Sequence, residues 1–246
     1  MSTRTAPIPA AAGIAWIAAA AVYVGTEGVA ASAFPGYSYS ANYISDLGVP
    51  DVAVFQGRAI DSPLSAVMNA GFILQGVLYL VAAVIATRAL RAGPRRAFLA
   101  LAVVHAVGIT VVGLIHGSAS SDASGIGWMH VVGAGMAIIA GNAASIVAGL
   151  GSGRIGAART FRVASVALGV VGLIALALLQ TLGGSDIDGI WERGSVYTVT
   201  AWELMAGITV LVAAAGARAT ERRRPSPAAG ADQRRSAACS ASRLRL

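Results

Sequence analysis

Six long apolar stretches are the feature of this sequence that most restricts its fold. They cover residues 10–31, 64–87, 97–115, 128–150, 163–182 and 196–217. An α-helix needs about 20 apolar residues to cross the hydrocarbon core of a bilayer. Charged residues make up only 12% of the chain, against about 25% in soluble domains. The sequence therefore predicts an all-α, polytopic membrane bundle of six transmembrane helices.

The distribution of arginine predicts the orientation of this bundle. The 18 basic residues are all arginine, and 16 of them fall at residue 4 and in the segments 88–96, 154–162 and 218–245. The three loops between these segments hold only Arg58 and Arg193. Because cytoplasmic loops of inner-membrane proteins carry the excess of basic residues, both termini are predicted to be cytoplasmic. The expected location is the cell membrane, as a multi-pass protein.

The net charge of +7 follows from the same loop bias and does not indicate a nucleic-acid partner. Basic residues beside a span attract the anionic lipids of the inner leaflet, so membrane lipids are the expected partners. The single cysteine, Cys239, excludes an intrachain disulfide and a cysteine-based metal site. No cofactor is expected.

Two segments need separate interpretation. Residues 218–246 are rich in Arg, Ala, Ser and Pro, which predicts a disordered basic cytoplasmic tail after a transmembrane domain of residues 1–217. The first apolar stretch precedes an A-x-A pattern at residues 31–33, as in a signal peptide. Its length favours a retained first span.

The fourth stretch carries a ridge of small residues with a spacing of four. The ridge consists of Gly133, Ala137, Gly141, Ser145 and Gly149. Small residues allow helix backbones to approach closely in lipid. Packing inside the bundle is the favoured interpretation, and a homo-oligomer formed through the ridge is the alternative.

Polar side chains inside or near the spans are the candidates for function, because charges within a bilayer are costly. Glu203 lies inside the sixth stretch and is the stronger candidate of the two acidic residues in the spans, whereas Glu27 is close enough to the outer end of the first stretch to reach the surface by snorkelling. A structural pair between Glu203 and Arg193 or a histidine is an equal alternative. Of the three histidines, His105 lies near the centre of the third stretch, and His116 and His130 flank a short loop.

The longest predicted outer loop contains Ile44-Ser45-Asp46-Leu47-Gly48. Further motifs of the same kind are Asn69-Ala70-Gly71-Phe72, His130 before Gly133-Ala134, Gly189-Ile190-Trp191-Glu192-Arg193, and Trp202. In these motifs the chain resembles the prokaryotic six-span family called domain of unknown function 998. The resemblance covers residues 10–217. It implies a six-span architecture with a shared motif at the outer face, and it implies no reaction.

Two classes of function fit these residues. The first is an integral membrane protein that binds a lipid or small polar ligand at an outer-face cluster, or aids transport or assembly. The candidate ligand-binding residues are Asn42, Ser45, Asp46, His116, His130, Glu192, Arg193 and Glu203. The second is a metal-dependent intramembrane hydrolase acting on a lipid, with a metal held by His116, His130, Asp46 and Glu203, since imidazole and carboxylate suit zinc.

Overall fold

A computed structural model describes residues 8–88 and 94–222, and it is a bundle of long helices. Six helices in the described residues are long and apolar enough to cross a membrane. They are α1 (Ala10–Ala33), α2 (Ser65–Arg88), α3 (Pro94–Leu114), α5 (Gly127–Gly151), α6 (Arg159–Leu182) and α7 (Asp188–Arg222). The predicted all-α membrane bundle of six spans is confirmed.

Shorter elements lie between the spans. A 3-10 turn, Ser45–Gly48, precedes an antiparallel hairpin of β1 (Ala53–Phe55) and β2 (Arg58–Ile60). Helix α4 (Ala119–Ala123) lies between α3 and α5. These elements share one end of the bundle, here called the long-loop end, formed by residues 34–64, 115–126 and 183–187. The opposite end, where α2 ends at Arg88 and α6 begins at Arg159, is the arginine-rich end.

The six long helices form a closed ring in chain order. Each packs against the next, α7 returns to pack against α1, and α5 also contacts α7 across the bundle. The first and last spans are therefore neighbours, and this arrangement brings side chains from the two ends of the chain together.

Helix α7 begins eight residues before the predicted position of 196. Its first residue, Asp188, accepts hydrogen bonds from the N–H groups of Gly184 and Ser185 at 2.7 and 3.1 Å. A negative charge at a helix N-terminus is stabilised by the positive end of the helix dipole. Glu192 and Arg193, predicted in a loop, consequently lie on the helix. At its other end α7 continues to Arg222, past the predicted tail boundary at 218. Residues 223–246 of the predicted tail lie outside the described residues.

The small-residue ridge on α5 is buried within the chain. All five of its residues are buried. A Cβ at Gly133 would lie 3.0 Å from the Gly108 carbonyl of α3, and one at Gly149 would lie 2.7 Å from the Arg162 carbonyl of α6. The ridge therefore allows close packing of helices inside the bundle, as the favoured interpretation expects, and it is not exposed to a second copy.

Candidate functional site

The 3-10 turn at the long-loop end is organised by the Asp46 carboxylate, which is 2% exposed. It accepts hydrogen bonds from the Tyr43 N–H and the Asn42 amide, both at 3.1 Å. Arg58 of the hairpin donates two more, at 2.9 and 3.2 Å, and its guanidinium lies 4.2 Å from the Tyr43 ring centre. Ser45 is half-buried in the same turn. Asp46 thus joins the turn to the hairpin.

An ion pair between the first and last spans lies beneath this turn. Arg193 of α7 contacts the Glu27 carboxylate of α1, with Nε and Nη2 at 3.1 and 3.0 Å from Oε1. Tyr197 donates to the other Glu27 oxygen at 2.9 Å. Glu27 is 1% exposed, so it does not snorkel to the surface. A carboxylate so deeply buried needs a charged partner. Arg193 therefore forms its ion pair with Glu27 and not with Glu203.

The same guanidinium also holds the long loop. Its Nη1 donates to the carbonyls of Tyr39, Asn42 and Gly189 at 2.6, 2.9 and 3.1 Å, and Nη2 donates to the Tyr37 hydroxyl. An arginine has five N–H donors, and each nitrogen here has an acceptor. No donor of Arg193 is left over for a ligand headgroup.

Aromatic and acidic side chains complete this network. Glu192 accepts a hydrogen bond from the Ile44 N–H, and Tyr43 donates to Asp188 at 3.0 Å. Burial raises the pKa of Tyr43 to about 12, with a further contribution from the bond to Asp188. Tyr43 therefore remains a neutral donor at physiological pH. The sequence-predicted residues Asn42, Asp46, Glu192 and Arg193 are thus brought together, and most of their polar groups are bonded to one another and to the loop backbone.

The two loop-flanking histidines lie in a second group at this end. The Asn69 amide donates to the Gly48 carbonyl at 2.8 Å and lies 3.0 Å from His116 Nε2. Burial lowers the pKa of His116, partly opposed by Asp51, so the ring is neutral and accepts from Asn69. His130 Nδ1 lies 2.6 Å from the Ile115 carbonyl. Within residues 8–88 and 94–222, no group of three His, Cys, Asp or Glu is placed to hold a metal ion.

Glu203 lies apart from both groups, in the interior of the bundle. It is 0% exposed and about 22 Å along α7 from Asp188, at a rise of about 1.5 Å per residue. Its Oε1 accepts from Gln75 Nε2 at 2.8 Å. The same Gln75 nitrogen lies 3.1 Å from His105 Nε2, and His105 Nδ1 lies 2.8 Å from the Ala137 carbonyl.

This arrangement corrects the predicted surroundings of Glu203. The side chain points into the bundle as expected, but its hydrogen-bond partner is Gln75. In the part of the chain that the structure describes, none of Asp46, His116, His130 or Arg193 is bonded to it. We call Gln75, His105 and Glu203 the interior site.

In the described part of the chain, the interior site has buried polar atoms without a partner, as the group around His116 does at Asn69 Oδ1. Within the described residues, Glu203 Oε2 and the Tyr79 hydroxyl are buried without a hydrogen-bond partner. Buried polar atoms nearly always have a partner in native proteins, and exceptions require an explanation. Tyr79 packs against the His105 ring, with ring centres 4.5 Å apart. Tyr79 thus contacts His105, and Glu203 shares the Gln75 amide with it, so both unpaired atoms belong to residues connected to the same histidine.

A cavity of about 30 Å³ adjoins the interior site. Its lining comes from five spans and consists of Tyr23, Gln75, His105, Ile109, Ala137, Ile138, Val196, Val199 and Thr200. A water needs roughly 10–15 Å³ of such volume, so the cavity accommodates about two waters. Tyr23 lies about one turn from Glu27, and Val196 directly precedes Tyr197. The cavity therefore extends from the interior site towards the long-loop end.

Sequence reasoning missed Gln75 and Tyr79 because neither is charged. A usable signal was present, since Gln75 is the only amide between residues 70 and 88. With alternating helix directions, it falls near the same depth as His105. An amide inside a span needs a polar partner, and this requirement would have pointed to the central histidine.

A family model described as a protein of unknown function, DUF998, matches residues 17–209. The match includes the Ser45–Gly48 turn, Glu27, Arg193 and all three residues of the interior site. No curated protein and no solved structure matches the chain. Because the family model covers most of the sequence, this six-span membrane protein belongs to the DUF998 family.

Proposed function

We propose that this protein binds a small polar solute inside the bundle, at the interior site and its cavity, and takes part in the transport of that solute. The observation that carries the proposal is a cavity at mid-bundle lined in part by Gln75 and His105, where Gln75 is bonded to a glutamate that has an unoccupied oxygen. Polar groups within a span are costly and usually line a pathway or a ligand site. The long-loop cluster is a weaker candidate because the donors of Arg193 are all engaged.

The size and chemistry of the site limit the solute. A cavity of about 30 Å³ admits a water or a species of similar size, and a lipid headgroup does not fit. Most of the lining is apolar, and the lining residues that carry polar side-chain groups are Gln75, His105, Tyr23 and Thr200. These groups both donate and accept hydrogen bonds, so they suit a hydrated proton, water or a small amine more than an anion.

Access to the cavity can be tested with cysteine substitutions on α7. Thr200 lines the cavity, whereas Ile208, two turns further along, is 55% exposed on the outer surface of the bundle. A thiol reacts as the thiolate, which requires water. In a Cys239→Ser background, Thr200→Cys should react with aminoethyl methanethiosulfonate in proteoliposomes, and Ile208→Cys, surrounded by lipid, should not. Equal inertness of both would mean that the cavity is sealed and would remove the proposed function.

We further propose that the long-loop end faces the outside of the cell membrane, as the arginine distribution predicts. Val54, at the hairpin, is 73% exposed, and Cys239 follows the last helix. Val54→Cys should react with a membrane-impermeant maleimide in intact cells, while native Cys239 should react only after permeabilisation. The opposite labelling pattern would invert the orientation and place entry to the cavity on the cytoplasmic side.

A further inference from the structure

We propose that the interior site binds a proton, which resides on Glu203 and exchanges with water in the cavity across His105. The inference rests on the proposed function because the cavity supplies the exchanging water.

The surroundings of Glu203 require a neutral carboxyl group. One hydrogen bond, from Gln75 at 2.8 Å, reaches Oε1, and no partner among the described residues reaches Oε2. An ionised carboxylate with a low pKa typically accepts two or three hydrogen bonds or faces a cation. Arg193 and Arg58 are bound to Glu27 and Asp46. An unpaired charge here would cost at least about 2.5 kcal/mol, so the proton stays on Glu203.

Among residues 8–88 and 94–222, the neighbouring helices place no cation in a salt bridge with Glu203. From α2, Gln75 and Tyr79 face this region, and from α3 His105 does so. From α1, the Trp16 ring lies 5.3 Å from the ring of Trp202, the residue before Glu203. From α6, Ser165 accepts the Trp202 N–H at 3.1 Å. His105 is the one group among these that ionises between pH 5 and 8 when unperturbed.

His105 is held in one tautomer. A carbonyl can only accept, so the bond to Ala137 at 2.8 Å requires a hydrogen on Nδ1. In the neutral ring, Nε2 is then an acceptor, and Gln75 Nε2 at 3.1 Å donates to it. The two amide hydrogens of Gln75 are thereby divided between His105 and Glu203. The amide also places its oxygen 3.3 Å from His105 Nε2, where it can accept from a protonated ring.

Two charge-balanced states follow from this geometry. In the first, Glu203 carries the proton and His105 is neutral. In the second, the proton has moved to His105 Nε2, Gln75 accepts from the ring through its oxygen, and Gln75 still donates to the Glu203 carboxylate. The total charge of the site is zero in both. His105 lines the cavity and Glu203 does not, so a proton from cavity water reaches His105 first.

A metal ion fits the site poorly. Hard cations take six or more oxygen ligands. The free atoms in this region include the Trp16 N–H, which is a donor only. A proton needs one acceptor atom, and Glu203 Oε2 is one.

Infrared spectroscopy of the purified protein in proteoliposomes tests the inference directly. A protonated carboxyl group has a C=O stretch that a carboxylate lacks, and this band shifts when the proton is replaced by deuterium. At neutral pH the wild type should show the band, and Glu203→Gln should lose it. Glu192→Gln, on the same helix, should retain it. A band unchanged by Glu203→Gln would show that Glu203 is ionised and would overturn the inference.

Two further variants cover the remaining outcomes. If Glu203→Gln does not fold, Glu203→Asp keeps the acid and should move the band, and an unmoved band would contradict the assignment. His105→Leu should retain the band but slow its shift after transfer to D2O, whereas an unchanged exchange rate would remove His105 from the route. The thiol reactivity of Thr200→Cys tests the cavity alone. Failure of the proposed function and failure of the proton assignment therefore give different results.

Discussion

Replacing Arg193 with methionine is expected to lower the free energy of unfolding by about 3–5 kcal/mol, the typical cost of removing one partner of a buried ion pair. Arg193 is 8% exposed and Glu27 is 1% exposed, so water does not screen the loss. The carbonyls of Tyr39 and Asn42 lose their donor at the same time. Unfolding of the detergent-solubilised protein, followed by circular dichroism, measures the change.

Two controls separate charge from packing in this experiment. Arg159→Met, at an exposed position of the arginine-rich end, should leave stability nearly unchanged. Adding Glu27→Gln to Arg193→Met removes the unpaired carboxylate and should recover part of the lost stability. The long loop, residues 34–64, should be sensitive to protease in that double variant, because the carbonyls of Tyr39 and Asn42 still lack their donor. A fully additive pair of substitutions would show that Glu27 and Arg193 are not coupled.

Placing leucine at Gly141 is expected to destabilise the bundle by about 1–3 kcal/mol, the usual cost of overpacking a well-packed core. A Cβ at this position would lie 2.9 Å from both His105 Nδ1 and a methyl group of Val199. The substitution therefore forces α5 away from α3 and α7 and disturbs the bond between His105 and Ala137. Thermal unfolding in detergent measures the effect.

The matched control lies on the same helix. A Cβ at Gly135 would meet nothing within 4 Å, so Gly135→Leu adds a side chain on an open face of α5. It should be tolerated, because leucine also has a higher helix propensity than glycine. Equal melting of Gly141→Leu and Gly135→Leu would mean that the ridge is not packed inside the protein.

The sequence predicted the spans well because the thickness of the bilayer sets the length of an apolar span. Helix α5 begins at Gly127 and ends at Gly151, within one residue of the predicted 128–150. The start of α7 was missed because its first turns are polar and carry Asp188, Glu192 and Arg193. A run of apolar residues indicates only the part of a helix that lies in lipid. Helix α7 extends beyond that part, so its polar first turns were not predicted as helix.

Pairing between side chains was less predictable than the spans. Glu27 and Glu203 are both acidic residues inside helices, and the sequence does not show which one meets Arg193. The choice follows from depth: Arg193 lies near the start of α7 and Glu27 near the end of α1, so antiparallel packing places them together. Glu203 lies more than two turns further into the bundle, where Gln75 is the available donor.

The pairing of Glu27 with Arg193 has a consequence for biosynthesis. The two residues are 166 positions apart in the chain, and ribosomes add about 5–20 residues per second. The first helix is therefore made about 8–33 seconds before its partner arginine is available. During that interval Glu27 must be shielded by the insertion machinery or carry a proton, because a bare carboxylate in lipid is costly. Once the last helix has been synthesised, Arg193 pairs with Glu27 and the carboxylate no longer needs shielding. Packing of α7 against α1 then closes the ring of helices.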